Sequence, residues 1–129
     1  MLPSMAAQAR KILIGFDGSE ASRRALDVAA RLTGYGSLLS VVTVTLDGNG
    51  GVRGLLDEAH TRLLGHQVTA TYLERVGDPA QELVEAAREL ETDLVVVGRR
   101  GEAVEGEPVP GSVSAEVVRT APCDVLVVR

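Results

Sequence analysis

Apolar residues recur along this chain with two different periods. Four short runs, 12–16, 38–46, 94–97 and 125–128, are almost continuously aliphatic, and a fifth, Val68 to Val76, alternates apolar with polar. Near-continuous Val, Leu and Ile in runs this short is how strands buried on both faces of a parallel sheet read. Between the runs the period lengthens to that of a helix. Ala21, Ala25, Val28, Ala29 and Leu32 share one face over about Ser19 to Thr33, and Val52, Leu55, Leu56, Ala59 and Leu63 do so over about Val52 to Leu64. Leu83, Ala86, Ala87 and Leu90 mark a third helix. Its start is signalled by Asp78 as N-cap, Pro79 at the first helical position and Gln81 at capping-box spacing. A fourth runs from Gly111 or Ser112 through Val113, Val117 and Val118 to Ala121, where Pro122 ends it.

Strict alternation of five strands and four helices with short links predicts right-handed crossovers. The expected fold is a single doubly wound α/β domain, a five-stranded parallel sheet with helices on both faces. Residues 1–9 are small and polar and are expected to form a flexible tail ahead of a domain spanning 10–129; no internal repeat or linker divides it.

Composition narrows the function. At 45% hydrophobic and 24% charged residues, the 129-residue chain has the balance of a globular domain. Its aromatics are Phe16, Tyr35 and Tyr72 with no Trp, so stacking platforms for single-stranded nucleic acid are missing. A net charge of -5 disfavours nucleic acid and anionic membranes as partners. No run approaches the roughly 18 apolar residues of a membrane-spanning helix. The one cysteine, Cys123, excludes an intrachain disulfide and reads as a small buried packing residue; with no secretory pattern, a cytoplasmic location is expected. His60 and His66 have no second ligand nearby in sequence and read as surface or packing residues.

In an open parallel sheet, ligands bind beyond the carboxyl ends of the strands. The loops there are Phe16-Asp17-Gly18-Ser19, 47–51, Gly77-Asp78-Pro79, and the long stretch from Gly98 to Ser112. The last carries Gly98, Gly101, Gly106 and Gly111 and ends at a helix start. Glycines let the backbone approach closely, and the helix terminus adds positive potential, an environment suited to phosphate. Neither GxxxxGK[ST] nor GxGxxG after a strand is present. What remains is Gly98-x-x-Gly101, nine residues, then Gly111-Ser112.

That spacing resembles the ATP-binding signature of the universal stress protein family, and the resemblance spans the chain. Ile12 to Ser19 is similar to the family's opening strand and turn, Gly77-Asp78-Pro79 to the turn before its third helix, and Asp93 to Gly98 to its fourth strand. The ending from Gly111 through Ala121-Pro122-Cys123-Asp124 to Val128 is similar again. The resemblance implies strand order 3-2-1-4-5, which puts the first and fourth strands, ending in Asp17 and Gly98, at the switch point. It implies Gly98, Gly101, Gly111, Ser112 and Val113 as the residues holding the phosphates and ribose of ATP. It further implies Asp17 near the sugar or a bound Mg²⁺, and the backbone of Val44 reading adenine. A homodimer formed by antiparallel pairing of the last strands is implied as well, consistent with a flat, apolar edge at Val125 to Val128.

The nine-residue spacer departs from the family's habit. It holds Glu102, Glu105, Glu107, Pro108 and Pro110, and Arg99 and Arg100 stand between the first two glycines. Three carboxylates would repel a triphosphate unless they face solvent or hold Mg²⁺, and the two arginines would offset them. Asp17 also stands three residues before Glu20, a capping-box spacing, so it has a purely structural reading as a helix cap. No histidine lies in the strand-end loops to serve as a base. The expected function is therefore an ATP-binding regulator of the stress response, nucleotide occupancy changing the surface offered to a protein partner. A slow Mg-dependent ATP hydrolase using Asp17 and a nucleotide-free dimeric interaction module are the alternatives.

Overall fold

The computed structural model describes residues 10–34, 36–48, 51–99 and 112–129. Five strands alternate with four helices: β1 Lys11–Gly15, α1 Glu20–Leu32, β2 Leu38–Thr45, α2 Val52–Gly65, β3 Thr71–Val76, α3 Pro79–Glu89, β4 Leu94–Gly98, α4 Ser112–Thr120 and β5 Asp124–Val128. All pairings are parallel and the order is β3-β2-β1-β4-β5, as the sequence led us to expect.

Strand alternation sorts the core into two layers. Ile12, Ile14, Val41 and Val96 face α1 and α2, where they meet Leu26, Ala29 and Leu63; Leu13, Val42, Val95 and Val97 face α3 and α4, where they meet Leu83, Ala87 and Val117. Strands β1 and β4 are therefore buried on both sides, which is why their sequences run apolar without a break. Burying a side chain of this size contributes about 1.5–3 kcal/mol, and β1 alone supplies three such residues.

The helix starts show local chemistry at work. Asp78 accepts a hydrogen bond from the Gln81 amide (3.0 Å), and Pro79 opens α3 as anticipated. At α1 the capping is shared differently from the Asp17 capping box. Ser19 is the N-cap, its hydroxyl accepting from the Ser22 amide (3.1 Å), while Asp17 Oδ1 accepts from the Ser19 amide (2.9 Å) and shapes the turn before it. Gly18 sits between them at φ +84°, a conformation that costs glycine little. Strand β3 is shorter than the alternating run from Val68, because Val68 donates its amide to the Leu63 carbonyl (3.0 Å) and closes the end of α2.

Ion pairs tie the outer layer together. Asp27 of α1 receives Nε and a terminal nitrogen of Arg62 of α2 at 3.0 and 2.9 Å, and His66 Nε2 lies 3.0 Å from the same carboxylate. Arg75 of β3 reaches two carboxylates of α3, Glu82 (3.0 Å) and Glu89 (2.8 Å), fastening that edge strand to its helix. Tyr72 packs edge-on to His60 with ring centroids 5.5 Å apart; its hydroxyl is buried with no partner among the described residues.

Candidate functional site

Strand order reverses between β1 and β4, so the crevice between their carboxyl ends is where topology puts a ligand. A chain of short contacts assembles its rim. The Phe16 amide donates to Val42 and the Phe16 carbonyl accepts from the Thr43 hydroxyl, both at 2.9 Å, holding the end of β1 against β2. The Asp17 amide then lies 3.4 Å from Ser22 Oγ. Gly98, ending β4, abuts the same first turn of α1: a Cβ there would stand 2.7 Å from the Ala21 carbonyl carbon and 2.8 Å from the Ser22 nitrogen. Beyond Gly98, the Arg99 amide continues the ladder to the Val128 carbonyl, and the Arg99 carbonyl accepts from the buried Ser114 hydroxyl (3.1 Å) in the first turn of α4.

Two helix N-termini, of α1 and of α4, are thus anchored at this end of the sheet. Their unpaired backbone N–H groups and dipoles give the rim a positive bias. Asp17 and Ser112 are exposed there, and Val113 is half-buried against the α3 and α4 layer. Val44 is half-buried in β2, beyond the last β1 residue that bonds to that strand. Amide groups of a parallel strand alternate between its neighbours. Val42 accepts from β1 and Thr45 accepts from Gly77, so Val44 turns its own N–H and C=O toward the β1 side, past the point where β1 has ended.

Of the residues singled out in the sequence, the structure therefore gathers Asp17, Val44, Gly98, Ser112 and Val113 at one end of the sheet. Gly101 and Gly111 lie outside the described residues, as do Glu102, Glu105 and Glu107. Sequence reasoning passed over Ala21, Ser22, Thr43 and Ser114, the four residues that hold the rim in place. A hydroxyl inside an otherwise aliphatic strand, as at Thr43, and a second serine two residues after Ser112 were the available signals.

A separate groove of about 650 Å³ runs between α3 and α4 and is lined by Gln81, Val84, Arg88, Val113 and Glu116 among others. It takes in Ser112 but none of Asp17, Val44 or Gly98, and so lies beside the switch point. Burial pushes the Cys123 thiol above its ordinary range, aided by the carboxylates of Asp124 and Asp93. That half-buried cysteine packs against the α3 and α4 layer, in keeping with a packing residue rather than a nucleophile. Among the described residues no three His, Cys, Asp or Glu side chains converge as a metal site, and no helix is long and apolar enough to cross a membrane.

These features define the class: a doubly wound α/β domain whose ligand position, by topology, is the crevice between Asp17 at the end of β1, Gly98 at the end of β4 and the start of α4. The chain belongs to the universal stress protein family, whose sequence profile matches residues 8–129. It is 32% identical over 140 residues to a universal stress protein of Mycobacterium tuberculosis, covering 93% of this chain and 96% of that one. A universal stress protein crystallised in complex with cAMP superposes with a TM-score of 0.80 at 34% identity, over 94% of this chain and 97% of the other. The universal stress protein from Archaeoglobus fulgidus in complex with dAMP shares the fold, with a TM-score of 0.73 at 20% identity over 93% and 98% of the two chains.

Proposed function

We propose that this protein binds an adenine nucleotide, with ATP as the physiological ligand, in the crevice between β1 and β4. The observation that carries the reading is the meeting, at a single switch point, of the Asp17 turn, Gly98 packed on the α1 backbone and the start of α4. A relative sharing 34% of the sequence was crystallised with cAMP, which supports an adenine nucleotide as the ligand class. Gly98, Gly101, Gly111, Ser112 and Val113 hold the phosphates and ribose, and the outward N–H and C=O of Val44 read the adenine edge. Mg²⁺ enters with the nucleotide. Among the described residues Asp17 is the carboxylate offered to it, a donor that suits Mg²⁺, which keeps most of its ligands as water and phosphate oxygen.

The role is regulatory rather than catalytic, in the cytoplasm, with occupancy of the crevice altering the surface presented to a protein partner. Among the described residues the histidines sit on or just after α2, away from the crevice, so none is placed as a base. The homodimer forms through β5, an edge strand of apolar residues with Val127 exposed and no proline to blunt it. Titration calorimetry with ATP, ADP, AMP and cAMP, with and without Mg²⁺, tests the reading. Saturable binding of adenine nucleotides in preference to GTP is expected, and no heat from any of them at millimolar concentration overturns it.

A further inference from the structure

Arg99 stands out on a chain of net charge -5. It directly follows Gly98 at the switch point, and both its backbone groups are fixed, the amide to Val128 of β5 and the carbonyl to Ser114 of α4. Its side chain is exposed, and no carboxylate among the described residues pairs with it. Strand alternation puts it on the side of the sheet that α4 covers, since Gly98 before it faces α1. On the other face of the sheet, Arg24 of α1 donates its Nε to the carbonyl of Arg129, which follows β5. A rigid backbone carrying a cation beside a helix N-terminus is a position that reads anionic charge rather than shape.

We propose that Arg99 sets the phosphate preference of the nucleotide crevice, favouring chains of two or three phosphates over a monophosphate or a cyclic phosphodiester. The inference rests on the nucleotide reading above and adds the substrate class to it. Physical reasoning fixes the direction. A cyclic phosphodiester carries one negative charge and a triphosphate three to four, so a cation at the phosphate end strengthens binding in proportion to ligand charge. Lysine keeps the charge but loses the planar fork that engages two phosphate oxygens at once.

The test is an affinity series of cAMP, AMP, ADP and ATP, measured by calorimetry on the wild type, Arg99→Gln, Arg99→Lys and Arg31→Gln. Arg31 is an exposed arginine in the last turn of α1, at the opposite end of the sheet, so its variant removes the same formal charge elsewhere. Expected is a wild-type order ATP, ADP, AMP, cAMP, with Arg99→Gln weakening ATP about tenfold and cAMP less than twofold. Arg99→Lys should fall between, Arg31→Gln should match the wild type, and the ATP advantage should shrink as salt rises. Equal losses for all four ligands in Arg99→Gln, no loss for ATP, or the same loss in Arg31→Gln would each overturn the assignment while leaving nucleotide binding intact. Absence of binding by all four ligands to the wild type would overturn both readings together.

Discussion

Gly98 packs directly on Ala21: a Cβ on Gly98 would come within 2.7 Å of the Ala21 carbonyl carbon and 2.8 Å of the Ala21 Cβ. The first glycine of the signature is therefore required by the packing of α1 on β4 before any ligand arrives. Gly98→Ala is expected to destabilise the fold by about 2–3 kcal/mol, because the clash is with main chain that cannot rotate away. Gly101→Ala and Gly111→Ala are expected to weaken ATP binding more than tenfold, and Ser112→Ala by about 1–2 kcal/mol, since one hydroxyl is lost while the helix-terminal amides remain. Urea titration beside calorimetry separates the two effects.

Adenine recognition through backbone makes an unusual demand on Val44. Val44→Ala should change ATP affinity less than twofold. Val44→Pro should weaken it at least tenfold, because it deletes the outward N–H; that N–H faces the β1 side, so the β2 to β3 ladder survives, which circular dichroism would confirm. ATP and GTP bound equally well by the wild type would count against this arrangement.

The Asp27 carboxylate is held below its ordinary range by the Arg62 guanidinium first and His66 second, against a desolvation cost. A carboxyl group with a depressed pKa in the folded state lends stability above its unfolded value, about pH 3.9, and that stability drains away as pH falls through the folded value. Asp27→Asn should thus cost about 1 kcal/mol at pH 7, a modest figure for a pair still partly exposed, and progressively less as pH falls below about 3.9. Urea midpoints of the two proteins at pH 7, 5 and 3 should converge at the acid end.

Burial raises the pKa of the Tyr72 phenol, and its hydroxyl has no partner among the described residues. Removing a buried polar atom that bonds to nothing returns its desolvation cost. Tyr72→Phe is expected to stabilise the protein by about 1 kcal/mol. A loss of stability in thermal or urea unfolding would show that the hydroxyl is satisfied.

Strand and helix placement was legible because aliphatic runs and helical spacing are properties of the chain itself. The parallel order was readable from alternation and family resemblance together. Boundaries were less so. The alternating run from Val68 hid the fact that Gln67 takes φ +61° and turns the chain, after which Val68 bonds back to Leu63; the nearby glycine, Gly65, ends α2 and is not the residue that takes the positive φ. Both Asp17 and Ser19 had capping chemistry, and only the seating of Ser22 between Asp17 and Gly98 decides which one caps. Asp17 and Gly98 were found from motif spacing, whereas Ala21, Thr43 and Ser114 depend on contacts across the sheet that no local pattern records.

The hydrogen bond from Ser114 to the Arg99 carbonyl ties the end of β4 to the first turn of α4 across a sequence separation of fifteen. The entropy of closing a flexible loop grows only slowly, each doubling of length adding about 0.6 kcal/mol. A change in the number of residues between those anchors is therefore expected to pass little cost to β4 or α4. The clasp is thus a fixed joint between strand and helix, made by Arg99 and Ser114 themselves rather than by the chain that connects them.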